Sequence, residues 1–114
     1  MARHELVFRV DKVDLSLLKS NPPQLGIHAD GMARSGGYTD ARLVEVIYVT
    51  PPADGIWEYT FEAVPPAGPA TLPLTPVSAY TIRATIPAGF KGVRVKAATN
   101  DVVAQLEVLA PQQA

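Results

Sequence analysis

Prolines punctuate this chain at short intervals, in NPP (21–23), TPP (50–52), VPPAGP (64–69), LPLTP (72–76) and IPAG (86–89). Proline fixes φ and lacks a backbone donor, so it is unwelcome inside a helix or in the hydrogen-bonded middle of a sheet. With eleven prolines and eight glycines in 114 residues, the chain has to be built from many short elements separated by loops.

The stretches between the prolines alternate with a period of two, the pattern of a strand with one face buried. In IWEYTFEAV, Trp57, Tyr59, Phe61 and Ala63 fall on one side and Glu58, Thr60 and Glu62 on the other. GVRVKAAT sets Val93, Val95 and Ala97 against Arg94 and Lys96. AYTIRATI places Tyr80, Ile82, Ala84 and Ile86 inward and Thr81, Arg83 and Thr85 outward. LVFRV groups Leu6, Phe8 and Val10 with Arg9 facing away. LGIHADGM turns Leu25, Ile27 and Ala29 in, with His28 and Asp30 out, and DVVAQLEVL turns Val102, Ala104, Leu106 and Val108 in. RLVEVIYVT (42–50) is apolar on both faces, which predicts a central strand or one covered on its second side. Asp14–Lys19 reads as a single helical turn stopped by Asn21-Pro22-Pro23.

Asp54-Gly55 is placed to close a hairpin between 42–50 and 56–64, and Asn100-Asp101 to close another. Pro87-Ala88-Gly89 links 78–86 to 92–98, and the proline-rich 65–76 crosses between sheets. About seven strands at such spacing predict an all-β antiparallel sandwich, immunoglobulin-like in the broad sense but without a cysteine pair. A small β-barrel is the alternative. The length suits one domain over 1–110 with a frayed tail over 111–114.

Composition removes several functions. Ten lysines and arginines face eleven acids, with no basic cluster to meet a nucleic acid. There is no cysteine for a thiolate nucleophile, an iron–sulfur cluster or a cysteine-rich zinc site. No apolar run approaches the ~20 residues of a spanning helix, so membrane insertion is not expected. The opening MARHELVFRVDKVD is charged throughout and does not read as a secretory leader, and the compartment stays open.

GMARSGG (31–37) has the glycine spacing of a phosphate-binding loop, but Gly37 and Tyr38 stand where that loop needs lysine and a hydroxyl residue. The chain beyond Gly37 alternates like a strand, where the loop needs a helix. The segment reads instead as a plain solvated turn between two strands, with the alternative that Arg34, Tyr38 and Asp40, a cation, an aromatic ring and an acid close together, form a recognition surface. Tyr48, on the doubly apolar strand, is a further partner-binding candidate. His28 and Asp30 would share a strand face, but no third ligand is apparent and no metal is expected. No serine lies in G-x-S-x-G, and Glu45, Glu58 and Glu62 read as outward residues of a hairpin. No catalytic set and no cofactor is assigned.

The sequence therefore points to a non-catalytic binding or protein-interaction module that takes a protein partner or a second copy of itself. A small-molecule ligand enters through two alternatives. One is a barrel carrying an apolar ligand against Trp57, Tyr59 and Phe61; the other is a small carboxylate hydrolase or isomerase using His28.

Overall fold

The computed structural model describes residues 3–68 and 73–106. The tail at 111–114 and Val108 lie outside the described residues. The elements are β1 (Glu5–Leu6), β2 (Arg9–Leu18), β3 (Gln24–Ala33), β4 (Thr39–Glu45), β5 (Ile56–Val64), β6 (Thr75–Arg83), β7 (Gly92–Lys96) and β8 (Asp101–Gln105). They form an all-β sandwich of a five-stranded and a three-stranded sheet, the latter ordered β2-β3-β6. The described strands do not close into a barrel, and no helix among them is long and apolar enough to cross a membrane.

β5 is the centre of the larger sheet. β4 runs antiparallel along one edge of it, from Thr39↔Val64 to Glu45↔Tyr59. The other edge is shared end to end: β1 pairs at Ala63 and Glu62, and β7 pairs over Ile56–Thr60. The β5–β7 pairing is parallel, the one departure from an otherwise antiparallel arrangement among the described strands. β8 lies outside β7, so among the described residues β4, β8 and the short β1 are this sheet's edges. The core between the sheets is filled by Val7, Val10, Leu25, Ile27, Phe61, Val93 and Val95, all fully buried. Tyr59, Phe61 and Ala63 belong to that core as their alternation predicts, with Trp57 packed against it.

The structure corrects four local expectations. Asp14–Leu18 is not a helical turn; it continues β2, paired residue for residue with β3 from Asp14↔His28 to Leu18↔Gln24. The non-local ladder overrides a weak local preference. LVFRV is not one strand either. The chain crosses from one sheet to the other at Val7-Phe8, so the inward residues are Val7 and Val10, with Leu6 and Phe8 only partly covered. Here Val7 N–H donates to the Phe61 carbonyl (3.0 Å), and Ala98 and Thr99 N–H donate to the carbonyls of Val7 and Phe8 (2.8 and 3.1 Å). Asn100 completes the crossing, its side chain accepting from Val10 N–H (2.9 Å) and donating to Val10 O (2.8 Å). Next to this point β2 shifts register between Val10 and Lys12, and a Cβ at Gly31 would run into the Arg9 carbonyl oxygen. Only glycine permits that approach.

β6 faces the opposite way from its prediction. Its register with β3 sets Ala79 beside Ala29, Thr81 beside Ile27 and Arg83 beside Leu25, all on the core side. Tyr80 and Ile82 point outward and are about half exposed, at 52% and 50%. Finally, β4 is an edge, not a central strand. Val46 N–H makes a last bond to the Glu58 carbonyl (2.9 Å), and residues 46–50 then leave the sheet ahead of Pro51-Pro52. Leu43 is buried, but Ile47 is 84% exposed and Val49 fully so. Asp54-Gly55 thus ends a long connection: Gly55 has φ of 74°, and Asp54 Oδ1 accepts from Ile56 N–H at 3.0 Å.

Candidate binding corner

The inversion of β6 carries Arg83 between the sheets, where its side chain is only 9% exposed. It meets the end of β4, the start of β5 and the loop before β7. Arg83 Nη1 donates to Glu45 Oε2 at 2.6 Å and to the Tyr59 hydroxyl at 3.2 Å. The guanidinium lies 4.5 Å from the Trp57 ring centroid and 5.5 Å from that of Phe90. Trp57 and Phe90 are stacked at 6.4 Å, and Tyr48 meets Trp57 edge-on at 5.4 Å. A planar delocalised cation suits such aromatic faces, and its weak hydration makes it the basic side chain best able to be buried.

The corner is electrostatically unequal. Burial pushes the Arg83 pKa down, but the bonds to Tyr59 and Glu45 outweigh it and the net direction is up, so the group stays charged. Burial raises the Tyr59 pKa, and the Arg83 bond only partly offsets this. Arg83 Nε is buried without a hydrogen-bond partner among the described residues. A buried polar atom left unpaired costs about 1–3 kcal/mol, an arrangement not selected for stability alone. Beside it opens a pocket of about 290 Å³ lined by Leu43, Glu45, Tyr59, Thr81, Arg83 and Thr85. Its carboxylate and two threonine hydroxyls can accept and donate hydrogen bonds to a small polar group, and no histidine lines it.

The Tyr59 shift has a measurable consequence. The folded state holds the phenol proton more tightly than the unfolded chain, whose phenols titrate near about 10. This contribution to stability is therefore complete below the unfolded pKa and lost as pH rises through the folded one. Tyr59→Phe is expected to flatten the alkaline decline of the denaturation midpoint. An unaltered alkaline slope would show that the hydroxyl is not held as described.

The recognition residues expected from the sequence fall in two places. Tyr48 belongs to this corner. Arg34, Tyr38 and Asp40 lie at the other end of β4, about 20 Å away for a strand of this length. There the Tyr38 hydroxyl donates to Glu5 Oε2 at 2.8 Å, and Asp40 Oδ2 receives Arg42 Nη2 at 2.6 Å and sits 2.9 Å from His4 Nε2. Arg34 lies over the Phe8 ring at 5.4 Å. Each has a partner within the chain: Tyr38 and Asp40 tie the start of β4 to Glu5 and His4, and Arg34 covers Phe8. Arg42 first and His4 second hold the exposed Asp40 carboxyl below its ordinary pKa. Gly37 supplies the positive φ (89°) expected of the glycine pair, and Asp40 adopts one as well (53°). Asparagine and aspartate tolerate that region better than most residues.

Arg83 and Glu45 both look outward in the sequence pattern. A signal for Arg83 is nevertheless present: a strand counted from Thr75 puts Val77 and Ala79 on its side. His28 and Asp30 lie elsewhere, on the outer face of the three-stranded sheet. No protein-family model, curated protein or solved structure matches the chain.

Proposed function

We propose that this protein is a non-catalytic interaction module that takes a protein partner along the free edge of β4 and the segment 46–50. The observation that carries the reading is the exposure of Ile47 (84%) and Val49 immediately beyond a strand whose outer edge is unpaired among the described residues. Burying such a side chain contributes about 1.5–3 kcal/mol, and an open edge offers backbone groups in register for a second chain. Ile82, half exposed, borders the Arg83 pocket and extends the apolar surface. Glu45, Thr81 and Thr85 supply a polar anchor beside it, and Tyr48 braces the segment against Trp57. The mixture of apolar strip and satisfiable polar pocket suits a protein surface.

The reading is tested first as self-association, by light scattering over a concentration series. The wild-type chain is expected to associate and Ile47→Asp/Val49→Asp to remain monomeric, with folding stability changed by no more than about 0.5 kcal/mol because both positions are exposed. Equal monomer masses at all concentrations would remove a second copy as the partner. A peptide-display selection on the wild type, counter-selected on the double variant, then decides for a different chain, and no enriched sequence would end the proposal.

A further inference from the structure

We infer that the outer face of the β2-β3-β6 sheet holds a divalent-cation site made by Asp14, His28 and Asp30, for an ion of the zinc class. The third ligand that the sequence does not offer is supplied by strand register. Asp14, once in β2, is the direct partner of His28 on β3, and Asp30 lies two residues along β3 on the same face. One ligand atom from each of the three can be chosen so that all lie within 4.8 Å of one another. His28 Nε2 is 3.5 Å from Asp30 Oδ1. Ligands bound at about 2.0–2.2 Å to one ion sit roughly 3–3.5 Å apart, so this pair already has the required spacing. Asp14 is exposed and closes the remainder by side-chain rotation.

The surroundings favour the same assignment. Ser78 Oγ, from β6, donates to Asp30 Oδ1 and fixes that carboxylate, the role of an outer hydrogen bond in a metal site. Tyr80 stands beside His28 on β6 and limits the site on that side. Two carboxylates around one imidazole leave negative charge that a cation relieves. Lys12 Nζ, 3.7 Å from Asp14, is the nearby competitor. One imidazole and two carboxylates suit zinc, nickel or copper; calcium takes six to eight oxygens and magnesium keeps an octahedron of them. The remaining positions on the ion fall to water.

The chain has two histidines, His4 and His28, which makes the test selective. Zinc chloride is titrated into the full chain while the imidazole resonances are followed by NMR and the heat by calorimetry. The His28 signals are expected to shift with saturation while those of His4 stay in place. His28→Ala abolishes the heat, Asp14→Asn and Asp30→Asn each weaken binding by tenfold or more, and Ser78→Ala weakens it by about tenfold. Lys12→Met strengthens it, and magnesium chloride leaves the His28 signals unmoved. Circular dichroism of each variant confirms that the fold is retained. An unperturbed His28 in millimolar zinc, or a zinc heat that survives His28→Ala, would overturn the assignment.

Discussion

Phe61→Ala is expected to lower the unfolding free energy by about 3–5 kcal/mol, the loss typical of removing a buried ring that its surroundings cannot close over. Phe61 is 0% exposed and stands on β5, the strand that organises the larger sheet. Leu43 is its partner across β4, and its carbonyl receives Val7 N–H where the chain crosses between sheets. A cavity here touches both sheets at once. Because a domain of this size has only about 5–15 kcal/mol to lose, the variant sits near the limit of folding at ordinary temperature. Phe61→Leu, which keeps most of the volume, is expected to lose less than the alanine variant and to remain folded. Urea denaturation of the three proteins measures the series. A loss under about 1 kcal/mol for the alanine variant would mean that the two sheets do not meet at this ring.

Arg83 yields the second large effect, and it depends on what replaces it. Alanine removes the stem that packs at the corner and the cation over Trp57 and Phe90, and is expected to cost about 2–3 kcal/mol. Methionine restores most of the volume and removes the unpaired Nε, and is expected to be neutral or stabilising. Glu45, released in either variant, is 38% exposed and turns to water without the penalty of a buried charge. The comparison separates two reasons for keeping an arginine here. If Arg83→Met is at least as stable as wild type yet alters association in light scattering, the guanidinium serves binding. If methionine fails as badly as alanine, the bonds to Glu45 and Tyr59 are part of the frame.

The sequence is most readable where a strand's alternation has one strong phase and fixed ends. β3, β5 and β7 have Leu25-Ile27-Ala29, Tyr59-Phe61-Ala63 and Val93-Val95 on the core side as their patterns require. β6 defeats the pattern because alternation has two phases. Tyr80, Ile82 and Ile86 argue for one, Val77 and Ala79 for the other, and the strand extends over Thr75–Arg83, which favours the second. That single ambiguity conceals Arg83 and with it the corner. Asp14 is hidden for a different reason. Its local residues suit a helical turn, and only the partnership with β3 places it opposite His28. The doubly apolar run 42–50 is legible as a place where something has to cover exposed side chains. Whether another strand or another molecule does so depends on where the chain turns away from β5, and Pro51-Pro52 do not encode that point alone.

The suture between Val10 and Asn100 joins residues 90 positions apart. With Ala98 and Thr99 it also secures Val7 and Phe8, while β7 supplies the parallel neighbour that covers the first half of β5. During synthesis the first strands leave the ribosome long before those partners exist. Contacts of such long range are entropically slow to form and cannot begin to form until residues 92–100 have been made. Until then the β5 edge and the crossing at Val7-Phe8 are unprotected, the condition under which nascent β proteins recruit chaperones. For this molecule, the order of synthesis leaves closure of the sandwich to β7 and the turn that follows it.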